Sequence, residues 1–235
     1  MNTFTFAGVN SSEFNAYVFA KDNDSTRGRI YETLQIHGRD GALLIDSEYH
    51  PNVTHSYDII VVDNFETNYK RLRAFLQSNI GYKRLEDTIN EDEFYMACFH
   101  PDMLTPVTDM RRESGKATLT FDRKPQRYLK TGESVLTFTT AGTITNPTLF
   151  ESRPLIRIYG SGTVGVGHSF VQVQNVNNYV DIDCDLEDAY EGAINKNNDT
   201  ILSDNVFPTL ASGDNGLTLG TGITKVEIAP RWFTL

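Results

Sequence analysis

The chain has 235 residues and a mass of 26.5 kDa, with 21 Lys and Arg against 31 Asp and Glu and a formal charge of −10. Such a length buries roughly 70–75 % of its unfolded surface, and 39 % hydrophobic with 22 % charged residues describes a soluble globular protein, neither disordered nor membrane-embedded. The acidic balance argues against a protein whose main work is gripping nucleic-acid backbone; no apolar run approaches the roughly 20 residues of a membrane span, the N-terminus lacks a signal-peptide pattern, and Cys98 and Cys184 make no disulfide framework.

Residues 29–36 alternate, with Ile30, Leu34 and Ile36 on one side, and lead into the turn Gly38, Arg39, Asp40, Gly41. Residues 57–62 read as a more buried strand. Phe65, Tyr69, Leu72, Leu76 and Ile80 then recur at helical spacing and predict a helix over about 65–80. Asn64 is expected to cap its start, and a left-handed Gly81 to end it. Lys70, Arg71 and Arg73 fall on its flanking or opposite faces, either as a solvated surface or as a contact for an acidic neighbouring subunit. Residues 116–121 supply another alternating strand. The basic cluster Arg123, Lys124, Arg127 and Lys130 follows it, reading as a charged edge or linker, with an acidic partner as its functional option.

Past about Thr139, Gly, Asn and Thr become common, and helical periodicity ends. Residues 134–235 hold 5 Lys or Arg against 11 Asp or Glu. A boundary in the region 133–146 is expected, giving domains 1–133 and 134–235. Residues 155–159, 170–176, 179–184 and 225–228 fit strands separated by turns. Closely spaced strands of this kind favour sandwiches or barrels over parallel-sheet folds.

Motifs that suggest chemistry mostly fail on their context. Gly160, Gly162 and Gly165 match a phosphate-loop spacing, but the residues that follow alternate like a strand, so a hairpin turn explains them better. Asp181, Asp183 and Asp185 resemble the start of a calcium loop whose closing Gly and Glu positions hold Leu186 and Gly192. As a strand, the same stretch turns Val180, Ile182, Cys184 and Leu186 inward and the aspartates outward. His37, His50, His55, His100 and His168 form no zinc motif; His50 and His55 flank Pro51 in an expected surface loop. Glu91, Asp92 and Glu93 read as a short helix start or a solvated turn. Nothing assembles a nucleophile, a base and an orienting partner, so no enzyme, cofactor or metal is expected.

Taken in order, several short patterns resemble the distal tail protein of long-tailed phages that infect Gram-positive bacteria. They are the opening Phe4 to Phe14, the turn Gly38, Arg39, Asp40, Gly41, the helix residues Arg71 to Leu76, and Phe121 to Gly132 with Lys124 and Pro125. Asn146 and Pro147, Arg153 to Gly162, Ile182 and Asp183, Ala189 and Tyr190, Pro208, Gly213 to Asn215, and Pro230, Arg231 and Trp232 continue the series. Cys184 departs from it, where relatives carry a small polar residue. The resemblance implies a mainly β chain, with an N-terminal β-barrel-like, self-associating domain carrying one main helix, then a galectin-like β-sandwich. It further implies a hexameric ring at the virion tail tip, assembled in the host cytoplasm without membrane insertion. Its partners would be its own copies, the tail tube protein, the tail-associated fibre or lysin protein, and a receptor-binding protein. DNA would pass the lumen without specific binding. The competing reading is a carbohydrate-binding module for host glycans, against which Trp232 stands as the single tryptophan.

Overall fold

The computed structural model describes residues 1–21, 28–107 and 113–235, excepting the side chains of 100–107. The chain divides into two compact units, residues 1–127 with Leu235, and Tyr128–Thr234. This division falls earlier than the 133/134 expected. The physical reason is that 128–133 are tied to the C-terminal segment: the Leu129 amide donates to the Trp232 carbonyl at 2.8 Å, and the Arg231 amide to the Gly132 carbonyl at 2.8 Å.

The first unit contains β1 (Phe4–Phe6), β2 (Val9–Asn10), β3 (Ala16–Lys21), β4 (Tyr31–Gln35), β5 (Ala42–Asp46), β6 (Val53–Val61), α1 (Phe65–Ser78), β7 (Lys83–Asp87), β8 (Glu93–Val107) and β9 (Gly115–Arg123). Its main sheet runs β2-β1-β7-β8-β9-β6-β3. Asn2 bridges Val18 of β3, so the chain entering β1 meets the far end of the sheet and curls it toward a barrel. In β6 the alternation of Val53, His55, Tyr57, Ile59 and Val61 turns every second side chain into the core, as period-two geometry requires. Aromatic rings fill that core, Phe4 stacking on Tyr57 at 5.5 Å and Phe6 lying 5.2 Å from Phe121.

Helix α1 covers the unit with Phe65, Tyr69, Leu72 and Leu76 buried, the expected stripe. Three details differ. Ile80 lies beyond the helix and is 86 % exposed. Asn64 is itself left-handed and makes no side-chain cap; Asn68 instead donates from its amide to the Val62 and Asp63 carbonyls. The helix ends at Ser78, where Asn79 takes the Leu76 and Phe75 carbonyls, while Gly81 (φ 77°) shapes the turn that follows.

The second unit contains β10 (Arg127–Leu129, which begins at the division), β11 (Leu136–Phe138), β12 (Gly142–Asn146), β13 (Leu155–Gly160), β14 (Gly162–Val166) and β15 (Ser169–Val173). After these come β16 (Val180–Asp183), β17 (Asp188–Glu191), β18 (Ile194–Asn195), β19 (Thr200–Leu202), β20 (Gly213–Leu219), β21 (Ile223–Ala229) and β22 (Phe233–Thr234). Two antiparallel sheets, β11-β21-β13-β16-β17-β18 and β12-β20-β14-β15-β19, share one core of Ile156, Ile158, Val164, Val171, Ile182 and Leu217 among others. The glycines at 160 and 162 sit at the β13–β14 turn and lead into a strand rather than a helix, as the alternation predicts. Cys184 is buried as expected, and burial pushes its thiol up to about 12. Leu186 is the correction to that stretch: it is 69 % exposed, because the chain turns after Cys184.

Candidate assembly interface

The sequence-predicted contact residues fall into separate environments. Lys70 is exposed and pairs along the helix with Glu66 at 2.7 Å. Arg71 is exposed, with its guanidinium 5.6 Å from the Phe14 ring, and Arg73 is exposed. The three do not share one face: helical spacing puts Arg71 and Arg73 on opposite flanks of the buried stripe, with Lys70 between them on the solvent side. Arg123 does not join them. It is fully buried, stacked 4.7 Å from the Tyr95 ring, with Nη1 3.4 Å from the Lys124 and Pro125 carbonyls. Its place in β9 dictates this, since it continues the inward row Ala117, Leu119, Phe121. Lys124 lies over the Tyr82 ring at 5.6 Å. Arg127 shares an open concavity of about 400 Å3 with Ile89, Asn90, Glu91, Asp92 and Glu93. Glu91 and Asp92 are exposed there, in the turn from β7 to β8. Lys130 is half-buried in a 3-10 turn, Lys130–Glu133.

Sequence reasoning also misplaced buried polar groups. His55 belongs to β6 rather than to a loop, and is buried against Tyr57 and Tyr95 at ring distances of 4.7 and 5.4 Å. His37 and His168 are exposed, and the His100 side chain lies outside the described residues. Asp87 accepts from Tyr57 Oη at 2.7 Å, from Lys21 Nζ at 2.9 Å and from the amides of Ile89 and Asn90. Burial pushes its carboxyl up, but these bonds outweigh that and hold it below the ordinary aspartate value.

In the second unit Asp181 and Asp183 are not solvated aspartates but buried, at 4 % and 3 % exposure. Arg157 grips Asp181 with two bonds of 2.7 and 2.9 Å, and Arg231 grips Asp183 with two of the same lengths. Asp185 is exposed, and among the described residues no group of three or more His, Cys, Asp or Glu is placed to hold a metal ion. Asn146 binds the carbonyls of Phe150 and Leu210 and accepts from Thr148. Pro208 and Pro230 are buried, Pro147 is exposed, and Trp232 packs in the core at 5 % exposure, offering no ring face to a sugar.

The feature that sequence reasoning missed as a contact is the β4–β5 hairpin. Gly38 (φ 83°), Arg39, Asp40 and Gly41 (φ 80°) make its exposed tip. Residues 28–45 are all exposed. The register Glu32↔Ile45 and Leu34↔Leu43 gathers Ile30, Leu34, Ile36, Leu43 and Ile45 on one face, each 37–52 % exposed. No other described element packs extensively on it. The alternation at 29–36 already carried that signal: a strand patterned to be half-buried, with no layer of its own chain to bury it.

These features define a two-unit, mainly β protein with an exposed aliphatic hairpin on its first unit. Its fold matches, over 100 % of both chains, the crystal structure of the SPP1 Dit protein, described as a paradigm of the hub adsorption apparatus in phages infecting Gram-positive bacteria; the TM-score is 0.75 at 17 % sequence identity. The fold expected from the short motifs is thus the fold the chain has. No protein-family model and no curated protein sequence matches the chain.

Proposed function

We propose that the chain is a structural, non-enzymatic component of a phage tail tip. It assembles through its first unit into a homohexameric ring that joins the tail tube to the tail-associated fibre or lysin protein and to the receptor-binding apparatus. The second unit, a galectin-like sandwich in this reading, faces those adsorption proteins. The protein is assembled in the bacterial cytoplasm and ends in the virion, with DNA passing its acidic lumen unbound. The observation that carries this reading is the full-length likeness to a hub protein.

The exposed aliphatic face of β4–β5 supports self-association on physical grounds. A closed ring needs two different complementary patches on each subunit. One aliphatic arm and a receiving surface on the next copy satisfy that requirement, and the exposed basic side chains of α1 suit an acidic neighbour. Negative-stain imaging of the purified protein tests the reading: six-fold rings support it, and particles without rotational symmetry at every concentration oppose it.

A further inference from the structure

We infer that the β4–β5 hairpin is an arm whose folding is completed by assembly: in the free protomer it opens at little cost, and it becomes a fixed element only when a second copy of the chain covers its aliphatic face. This rests on the self-association reading above.

Four features of the arm lead there. Among the described residues it is a two-stranded sheet, and an isolated hairpin is marginally stable in water. Every residue between 28 and 45 is exposed and none belongs to a core, so only partial burial offsets the entropy of ordering it. Beyond its own ladder and the tip bond from the Arg39 amide to the Ile36 carbonyl, its described hydrogen bonds lie at the base. There Arg29 Nη1 meets Asp46 Oδ2 at 2.7 Å and the Ser47 amide meets the Ile30 carbonyl at 3.0 Å. Finally, one face is written to be covered, with five aliphatic side chains and Glu32 as its only charge.

A second copy is the occupant that the area favours. Five aliphatic side chains at these exposures present a patch on the order of a few hundred Å2, the size that marks an interaction site. In a ring every subunit gives one arm and receives one, so each interface buries that area on both partners and, with the arm's flanks, approaches the roughly 1,000 Å2 a specific contact needs. Ordering on contact would raise the concentration at which copies assemble, because the arm's conformational entropy is lost when two protomers meet.

Hydrogen exchange by mass spectrometry, run on the full chain dilute and assembled, tests the coupling. In the dilute protomer the β4 and β5 amides should exchange within about tenfold of the unprotected rate, and slow by about 100-fold or more in the assembly, while β6 stays protected in both. Arm amides equally slow in both states overturn the coupling and leave the ring reading standing. A chain that never assembles overturns the ring reading and removes the arm's partner with it. A second experiment bypasses exchange. Thr33 and Leu44 are cross-strand partners on the other face of the arm, so Thr33→Cys with Leu44→Cys can lock the hairpin closed. The oxidised form should assemble at a concentration about tenfold lower than the same protein reduced, because the arm is then pre-ordered. Equal assembly in both redox states contradicts the inference.

Discussion

Arg231 holds Asp183 with two short bonds, while the amides of Asp185 and Leu186 add to the same carboxylate. Burial pushes the Asp183 carboxyl up, but the Arg231 hydrogen bonds and these amides outweigh it and set it below the ordinary value. A depressed folded-state pKa means stability that is fully present above the unfolded aspartate value of about 4 and lost as pH falls through the folded one. Calorimetry should therefore show the Tm of the wild-type second unit falling faster below about pH 4 than that of Arg231→Ala. That variant leaves Asp183 buried without its guanidinium and should lose about 2–3 kcal/mol at neutral pH, discounted because the Arg231 side chain is 30 % exposed. Equal acid sensitivity of the two proteins would refute the assignment. Gly132 offers a sharper steric case. A methyl group there would sit 2.3 Å from the Trp232 backbone nitrogen, so Gly132→Ala should destabilise by about 1–3 kcal/mol in a denaturant titration. These contacts were illegible in the sequence. Asp181 and Asp183 alternate like surface residues, and their arginines stand 24 and 48 positions away, beyond the reach of any local pattern. Arg123 misled for the converse reason: charge in a linear cluster suggested surface, whereas its parity in β9 aimed it at Tyr95.

At the scale of elements, periodicity did well wherever the partner layer lies within the chain. The α1 stripe is legible from Phe65 to Leu76 because the sheet beneath supplies its cover. It fails at Ile80, where Asn79 stops the helix. Leu72→Ala, at a site 1 % exposed, should cost about 2–5 kcal/mol of first-unit stability by chemical denaturation. Where no described layer of the chain lies over the strands, the same alternation leaves the β4–β5 arm exposed. Leu34→Asp with Leu43→Asp should leave the protomer's Tm within a degree or two, since both side chains are already exposed, yet raise the concentration needed for assembly by about tenfold or more. Calorimetry reads the first half of that statement, and sedimentation velocity across a dilution series the second. Arg71→Glu with Arg73→Glu should weaken assembly in a salt-dependent way, the difference from wild type shrinking as ionic strength rises.

For the whole molecule, the order of short motifs along the chain carried the fold, although each motif alone is weak. Gly38 to Gly41 at the arm's tip, and Pro230 to Trp232 beside Gly132, are turn and packing positions, so they report backbone geometry rather than chemistry. That explains how a resemblance visible in fragments accompanies an overall identity of 17 % to SPP1 Dit. In the proposed ring the interface is the least legible part, since its complementary surface would belong to another copy. There, the charge of −10 would act as a field that repels DNA from the lumen. Light scattering in line with size exclusion gives the mass of the purified protein in solution and so tests the proposed ring. A ring-forming chain gives a species of six times the 26.5 kDa protomer at high concentration; a protein that stays at 26.5 kDa at every concentration rules the ring out.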